Sequence, residues 1–173
     1  MTATQDMDVL ISREQLTGRV EELGKEISRD YADKPLTMVV LMTGGIFFAA
    51  DLARAVTIPL WMDSISASSY HGHESSGELK IRSHLKLDVK GRHILLLDEV
   101  FDTGFTIKCL RKYFLERGAL SVKTAVAVVK DVPRAEDITL PEYVGFNAPN
   151  RYLIGYGLDS HEEGRHIPFI GAV

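Results

Sequence analysis

Residues 93–106 constrain the fold more than any other part of this 173-residue chain. Residues 94–97 are apolar, the pattern of a parallel strand buried on both faces. Asp98 and Glu99 follow, and residues 102–106 are expected to turn the chain into a helix. Ligands of open α/β sheets bind beyond the carboxyl ends of the strands, where a helix N-terminus offers free N–H groups to a phosphate. Because two carboxylates repel a phosphate unless a cation or ribose hydroxyls intervene, the segment predicts a sugar phosphate bound with magnesium.

Predicted strands and helices alternate along the rest of the chain. Ser12 and Gln15 form a capping-box pattern, and apolar residues at helical spacing follow it as far as Tyr31. Further helices are expected over residues 46–56 and 106–118, and strands over residues 38–42, 58–67, 122–129, 143–146 and 152–154. This alternation predicts an α/β fold, with a mostly parallel, twisted sheet flanked by helices.

Composition and charge exclude several classes of function. The length predicts one domain over residues 1–173, and a net charge of −4 without a basic run argues against nucleic acid as a partner. No apolar stretch is long enough to span a membrane and the N-terminus does not resemble a signal peptide, so a cytoplasmic protein is expected. Cys109, the only cysteine, is predicted to be a small buried thiol.

Residues 68–77 form a polar stretch without a core-forming pattern. Long loops of this kind in compact domains are usually functional or disordered. We therefore expect a flexible functional loop here, with Ser69 and Tyr70 near its start.

The 93–106 segment resembles the phosphoribosyl pyrophosphate signature of type I phosphoribosyltransferases. In that signature an apolar strand, two acids and two apolar residues precede Asp-Thr-Gly-x-Thr. Residues 43–45, 68–70, Lys130 and 155–165 extend the likeness to the 6-oxopurine class, most closely to bacterial hypoxanthine phosphoribosyltransferases, from about residue 9 to the end. The resemblance implies a Rossmann-like core with a small hood formed by the chain ends.

The activity implied by this resemblance is purine salvage. Such enzymes transfer the 5-phosphoribosyl group of phosphoribosyl pyrophosphate to N9 of hypoxanthine or guanine, giving IMP or GMP and pyrophosphate. Mg²⁺ is the implied cofactor, and a homodimer or homotetramer the implied assembly. A preference for xanthine stays open. A nucleotide-sensing regulator of the same fold is a weaker alternative, because it would want a basic face and no Asp102.

The resemblance also assigns residue roles. Asp102 would be the general base at the purine N7; a helix N-cap is the alternative, but Ser or Asn would fill that role equally well. Phosphoribosyl pyrophosphate would be bound by Thr43, Gly44, Asp98, Glu99, Asp102, Thr103, Gly104, Phe105, Thr106 and Arg165. The purine would be bound by Val100, Lys130, Tyr152 and Leu153, and the metal by Asp98, Glu99 and Asp159.

Two positions depart from the family pattern. Thr43 stands where most relatives carry Lys or Arg in the pyrophosphate loop, so the strength of pyrophosphate binding is in question. The acidic pair is ordered Asp98-Glu99 rather than Glu-Asp, which would alter how the ribose is contacted.

Overall fold

The structure, a computed structural model, describes residues 7–69, 79–83 and 85–173. Its centre is a five-stranded sheet of order β3-β2-β6-β7-β8 in which every neighbouring pair is parallel. The strands are β1 (Asp8–Ile11), β2 (Leu36–Leu41), β3 (Leu60–Ile65), β4 (Ala67–Ser69), β5 (Leu79–Ile81), β6 (His93–Phe101), β7 (Ser121–Lys130), β8 (Tyr143–Ala148), β9 (Leu153–Ile154) and β10 (Ile170–Ala172). The helices are α1 (Arg13–Asp30), α2 (Ile46–Ala55) and α3 (Phe105–Glu116). The predicted fold class is confirmed.

The predicted capping box begins α1. The Gln15 amide donates to the Ser12 hydroxyl at 3.3 Å, and the Ser12 amide donates to the Gln15 side chain at 2.8 Å. The helix then buries the predicted apolar face, which comprises Leu16, Val20, Leu23 and Ile27. The cap and this apolar face together fix where the first crossover helix starts and how it lies on the sheet.

Alternate residues of β6 serve two separate hydrophobic cores. Leu95 and Leu97 belong to the core beneath α1 and α2, whereas Ile94 and Leu96 belong to the core beneath α3. All four side chains are fully buried. The central strand is therefore covered on both faces, as the run of apolar residues predicted.

The two ends of the described chain form the predicted hood. β1, β10 and β9 make a separate antiparallel sheet in which β10 is the middle strand. None of the helices in the described part of the chain has the length and apolar character needed to cross a membrane.

Three features differ from the sequence-based expectations. β6 continues through Asp98 and Glu99 to Phe101, so the acidic pair lies within the strand. Ser68 and Ser69 were expected in a loop, but their backbone belongs to β4, which pairs with β5; Tyr70 and the rest of that predicted loop lie outside the described residues. Cys109 is half-buried instead of fully buried.

Candidate active site

The acidic pair lies near the carboxyl edge of the central sheet. β7 pairs with β6 on either side of Glu99: Asp98 lies opposite Val126, and Val100 lies opposite Val128. The neighbouring strand therefore holds the backbone of the two acidic residues in place. The Glu99 amide donates to Asp98 Oδ1 at 3.0 Å. Burial, and then the neighbouring Glu99 carboxylate, raise the pKa of the Asp98 carboxyl well above its usual range.

The loop after β2 packs directly against Glu99. Gly44 is buried, and a Cβ atom at this position would collide with the Glu99 carboxylate. The Met42–Thr43 peptide bond is cis, and Thr43 is exposed. The loop and the acidic pair therefore approach one another closely only because residue 44 is glycine.

Helix α3 begins with Gly104 as its N-cap. Gly104 has φ of 81° and supplies no side-chain cap, and the first helical bond runs from the Lys108 amide to the Gly104 carbonyl at 3.0 Å. The N-cap alternative for Asp102 is therefore wrong. The N–H groups of the first turn have no acceptor within the helix, so they remain available to an anion at the same edge of the sheet as the acidic pair.

A small pocket brings together all four residues predicted to bind the purine. It has a volume of about 190 Å³ and is lined by Glu99, Val100, Asp102, Lys130, Tyr152, Leu153, Leu158 and Asp159. Lys130 is the last residue of β7, and its Nζ lies 3.8 Å from Asp102 Oδ2. The Lys130 side chain is 16% exposed and that of Asp102 is 52% exposed. The pocket thus offers a largely shielded donor beside an accessible carboxylate.

A second pocket adjoins the first and contains six of the ten residues predicted to bind phosphoribosyl pyrophosphate. It has a volume of about 270 Å³ and is lined by Leu41, Met42, Thr43, Gly44, Ala67, Asp98, Glu99, Thr106, Asp159 and Arg165. Glu99 and Asp159 line both pockets. The two pockets are therefore neighbouring parts of one site, here named the purine pocket and the phosphate pocket.

Arg165 and Asp159 form an ion pair that the sequence does not predict. Arg165 Nη2 lies 2.8 Å from Asp159 Oδ1 and 3.1 Å from Glu162 Oε2, and Nη1 donates to the Gly157 carbonyl at 2.8 Å. The other Asp159 oxygen accepts the Glu162 amide at 2.9 Å, and the Tyr152 hydroxyl donates to the Asp159 carbonyl at 3.1 Å. These contacts join the turn after β9 into one polar cluster at the mouth of the site.

Among the predicted site residues whose side chains the structure describes, Thr103, Gly104 and Phe105 do not line either pocket. Thr103 and Gly104 form the turn before α3, and Phe105 is the half-buried first residue of that helix. Ser69 lies in β4, and Tyr70 is outside the described part of the chain. Leu158 lines the purine pocket but was not predicted to do so. The only sign in the sequence was that it lies within residues 155–165, which resemble the family.

The oxygen atoms of the phosphate pocket suit a magnesium ion shared with a substrate. Within the described residues there is no group of three or more His, Cys, Asp or Glu side chains arranged to hold a metal by themselves. Mg²⁺ usually binds through one or two carboxylates and completes its shell with water and substrate oxygens. The acidic pair, with Asp159 in the same pocket, fits that mode of binding.

The fold and this site define a phosphoribosyltransferase. The family model described as phosphoribosyl transferase domain matches residues 12–161. That span contains both the acidic strand and the turn into α3.

Named relatives narrow the class. The chain is 39% identical to the hypoxanthine-guanine phosphoribosyltransferase of Streptococcus pneumoniae, covering 95% of this chain and 92% of that one. It is 38% identical to the hypoxanthine-guanine-xanthine phosphoribosyltransferase of Tritrichomonas foetus, over 99% and 96%. The crystal structure of a hypoxanthine phosphoribosyltransferase from Staphylococcus aureus superposes with a TM-score of 0.91 at 32% identity, over 96% of this chain and 90% of that one. The chain belongs to the hypoxanthine phosphoribosyltransferase family of transferases, and with it to purine salvage.

Proposed function

We propose that this enzyme transfers the 5-phosphoribosyl group of phosphoribosyl pyrophosphate to N9 of hypoxanthine and guanine, with Mg²⁺ as cofactor. The observation that carries the proposal is the juxtaposition of Lys130 and Asp102 in the purine pocket, 3.8 Å apart, beside the phosphate pocket. A base in the first pocket would present N9 toward a ribose in the second. The products are IMP or GMP and pyrophosphate.

Lys130 and Asp102 divide the recognition of the base between them. An ammonium group can only donate, so Lys130 complements the O6 acceptor of an oxopurine and opposes the amino group of adenine. The Asp102 carboxylate accepts the proton that the purine releases from N7 as N9 becomes bonded to ribose. Tyr152 stacks on the purine face, Leu153 meets position 2 through its backbone, and Val100 supplies an apolar wall.

The remaining residues hold the phosphoribosyl donor. The 5′-phosphate lies against the N–H groups and hydroxyls at the start of α3, which come from residues 102–106 and include Thr103 and Thr106. Thr43, Gly44 and Arg165 hold the pyrophosphate, and Asp98 and Glu99 hold the ribose hydroxyls. Asp98 and Glu99 would hold one Mg²⁺ and Asp159 a second one through water, and these ions would supply positive charge against the departing pyrophosphate.

Xanthine is a further candidate acceptor. The Tritrichomonas foetus relative carries xanthine in its name, at an identity similar to that of the hypoxanthine-guanine relatives. Xanthine differs from hypoxanthine at position 2, which in this arrangement meets the Leu153 backbone instead of a discriminating side chain. We also propose that residues 1–173 form a single domain and that the protein is a cytoplasmic homodimer or homotetramer. Light scattering on the purified protein measures the number of subunits.

An assay with four bases tests the activity. Hypoxanthine, guanine, xanthine and adenine are each supplied with phosphoribosyl pyrophosphate and Mg²⁺, and nucleotide formation is followed by ultraviolet absorbance. We expect rapid formation of IMP and GMP, far slower formation of AMP, and loss of all activity when a chelator exceeds the metal. Turnover of adenine as fast as hypoxanthine would contradict the role of Lys130, and undiminished turnover with excess chelator would contradict the metal requirement.

A further inference from the structure

Arg134, in the loop after β7, joins the ends of two neighbouring strands. Its Nε donates to the backbone carbonyl of Asp102 at 2.8 Å, and its Nη2 donates to the carbonyl of Lys130. The same Nη2 lies 3.5 Å from the Phe101 carbonyl, and the guanidinium carbon lies 5.2 Å from the centre of the Phe101 ring. One side chain therefore contacts the backbone of both residues whose charged groups face each other in the purine pocket.

These contacts begin where the strand pairing ends. The last paired residues of β6 and β7 are Phe101 and Val129. Asp102 follows one residue later, in the turn, and the Lys130 backbone pairs with Ala148 on the opposite side of β7. Arg134 thus extends the connection between the two strands by one residue, to the position of the two charged side chains.

The geometry requires a guanidinium group. Its donors lie in one rigid plane, so they can reach carbonyls on two chain segments while the flat face of the group packs on an aromatic ring. A lysine at this position would keep the positive charge but would have neither the fork nor the flat face. The contacts depend on the shape of the side chain as well as on its charge.

We propose that Arg134 is a positioning residue that sets the separation between the Asp102 carboxylate and the Lys130 ammonium, and so determines selection of the base. This inference rests on the proposed function. Arg134 does not line the purine pocket and borders the neighbouring cleft on the other side of Lys130, so it acts through its two partners and does not touch the base.

The two substrates should depend on Arg134 to different extents. The three carbonyls that it contacts belong to Phe101, Asp102 and Lys130, at the purine end of the site. The phosphate-binding start of α3 has a further support, since Gly104 packs against the Ile138 side chain as well as against the Phe101 ring that Arg134 contacts. Loss of the guanidinium should therefore loosen base recognition and leave the binding of phosphoribosyl pyrophosphate in place.

The test compares Arg134→Ala and Arg134→Lys with a matched control, Arg117→Ala. Arg117 has similar contacts far from the site, since its guanidinium carbon lies 3.5 Å from the centre of the Tyr113 ring and its Nη1 donates to the Tyr113 carbonyl at 3.1 Å. Steady-state kinetics with hypoxanthine and adenine give KM and kcat, titration calorimetry gives the Kd of phosphoribosyl pyrophosphate with Mg²⁺, and thermal melting reports folding.

For both Arg134 variants we expect the KM for hypoxanthine to rise about tenfold or more and the preference for hypoxanthine over adenine to fall. The Kd of phosphoribosyl pyrophosphate should stay within about twofold of wild type, and the Arg117 control should match wild type throughout. Unchanged base kinetics in Arg134→Ala, or an equal loss of affinity for both substrates, would overturn the proposal. If neither Arg134 variant folds, the residue is a structural brace and the proposal is wrong. A wild type inactive with every base would instead refute the proposed function, and this inference with it.

Discussion

Replacing Asp102 with asparagine separates chemistry from structure at the proposed base. Asn has nearly the same shape as Asp, but its amide cannot take up the purine proton. Removal of a general base typically slows turnover by about a hundredfold to ten-thousandfold. At about 1.36 kcal/mol per tenfold change in rate, this raises the activation free energy by about 2.7 to 5.4 kcal/mol.

The cost of the same change to folding should be much smaller. Capping adds nothing to this cost, because Gly104 occupies the N-cap of α3 and Asn caps a helix as well as Asp does. The remaining loss is the ion pair with Lys130, whose charged atoms are 3.8 Å apart and in which the Asp102 side chain is about half exposed. Exposed pairs of this kind contribute about 0 to 1 kcal/mol. The free energy of unfolding should therefore fall by less than about 1 kcal/mol.

Two measurements check these numbers against each other. Stopped-flow or steady-state assays with hypoxanthine give kcat, and urea denaturation gives the free energy of unfolding; calorimetry checks that phosphoribosyl pyrophosphate still binds. Asp131→Asn is the matched control, because it removes another exposed carboxylate just beyond Lys130. Unchanged kcat in the Asp102 variant would refute the catalytic argument, and a loss of stability well above 1 kcal/mol would refute the structural one.

Three further changes test other parts of the structure. Thr43→Lys should tighten pyrophosphate binding by about 1 kcal/mol, the scale of one partly exposed charge-assisted contact, without changing the KM for the base; equal pyrophosphate affinities in calorimetry would reject the missing-cation argument. Gly44→Ala should weaken binding of phosphoribosyl pyrophosphate with Mg²⁺ by about tenfold or more, because the new Cβ displaces the Glu99 carboxylate. The melting temperature should change little, because that carboxylate is at the end of a flexible side chain, and an unchanged affinity would contradict the close contact. Burial lowers the pKa of His93, so the unfolded chain takes up a proton near pH 6.5 before the folded chain does, and stability present above that pH should be lost as the pH falls. In urea denaturation at pH 7.5 and 5.5, His93→Gln should reduce this loss of stability, whereas His166→Gln, at an exposed histidine, should not. Equal losses of stability in the wild type and both variants would count against the assignment to His93.

Local patterns were enough to predict the framework. The capping box of α1 and the apolar run of β6 depend on residues close together in sequence, and both appear where predicted. The length of β6 was not predictable in this way. Asp98 and Glu99 interrupt the apolar pattern, and the strand continues through them because β7 pairs with its backbone on either side of Glu99. Contacts between segments distant in sequence thus override the local pattern.

The parts of the site that the sequence did not reveal also depend on tertiary geometry. The start of α3 falls at Gly104, which adopts a positive φ, and this removes the cap role that a helix beginning earlier would have given Asp102. The pairing of Arg165 with Asp159 depends on the turn between them, in which His161 and Glu162 have positive φ values that few non-glycine residues adopt. A single sequence gives little sign of such turns, so the ion pair becomes visible only in the fold.

The charges of the phosphate pocket bear on how a polyanion could be bound there. Three carboxylates line the pocket, from Asp98, Glu99 and Asp159, and Arg165 is the one Lys or Arg among its described lining residues. That arginine is already engaged by Asp159 at 2.8 Å, and Thr43 supplies no charge. A diphosphate entering alone would therefore meet a net negative surface. In the proposed mechanism, divalent cations provide most of the compensating charge. A bound cation must then raise the affinity for pyrophosphate by the same factor by which bound pyrophosphate raises the affinity for the cation.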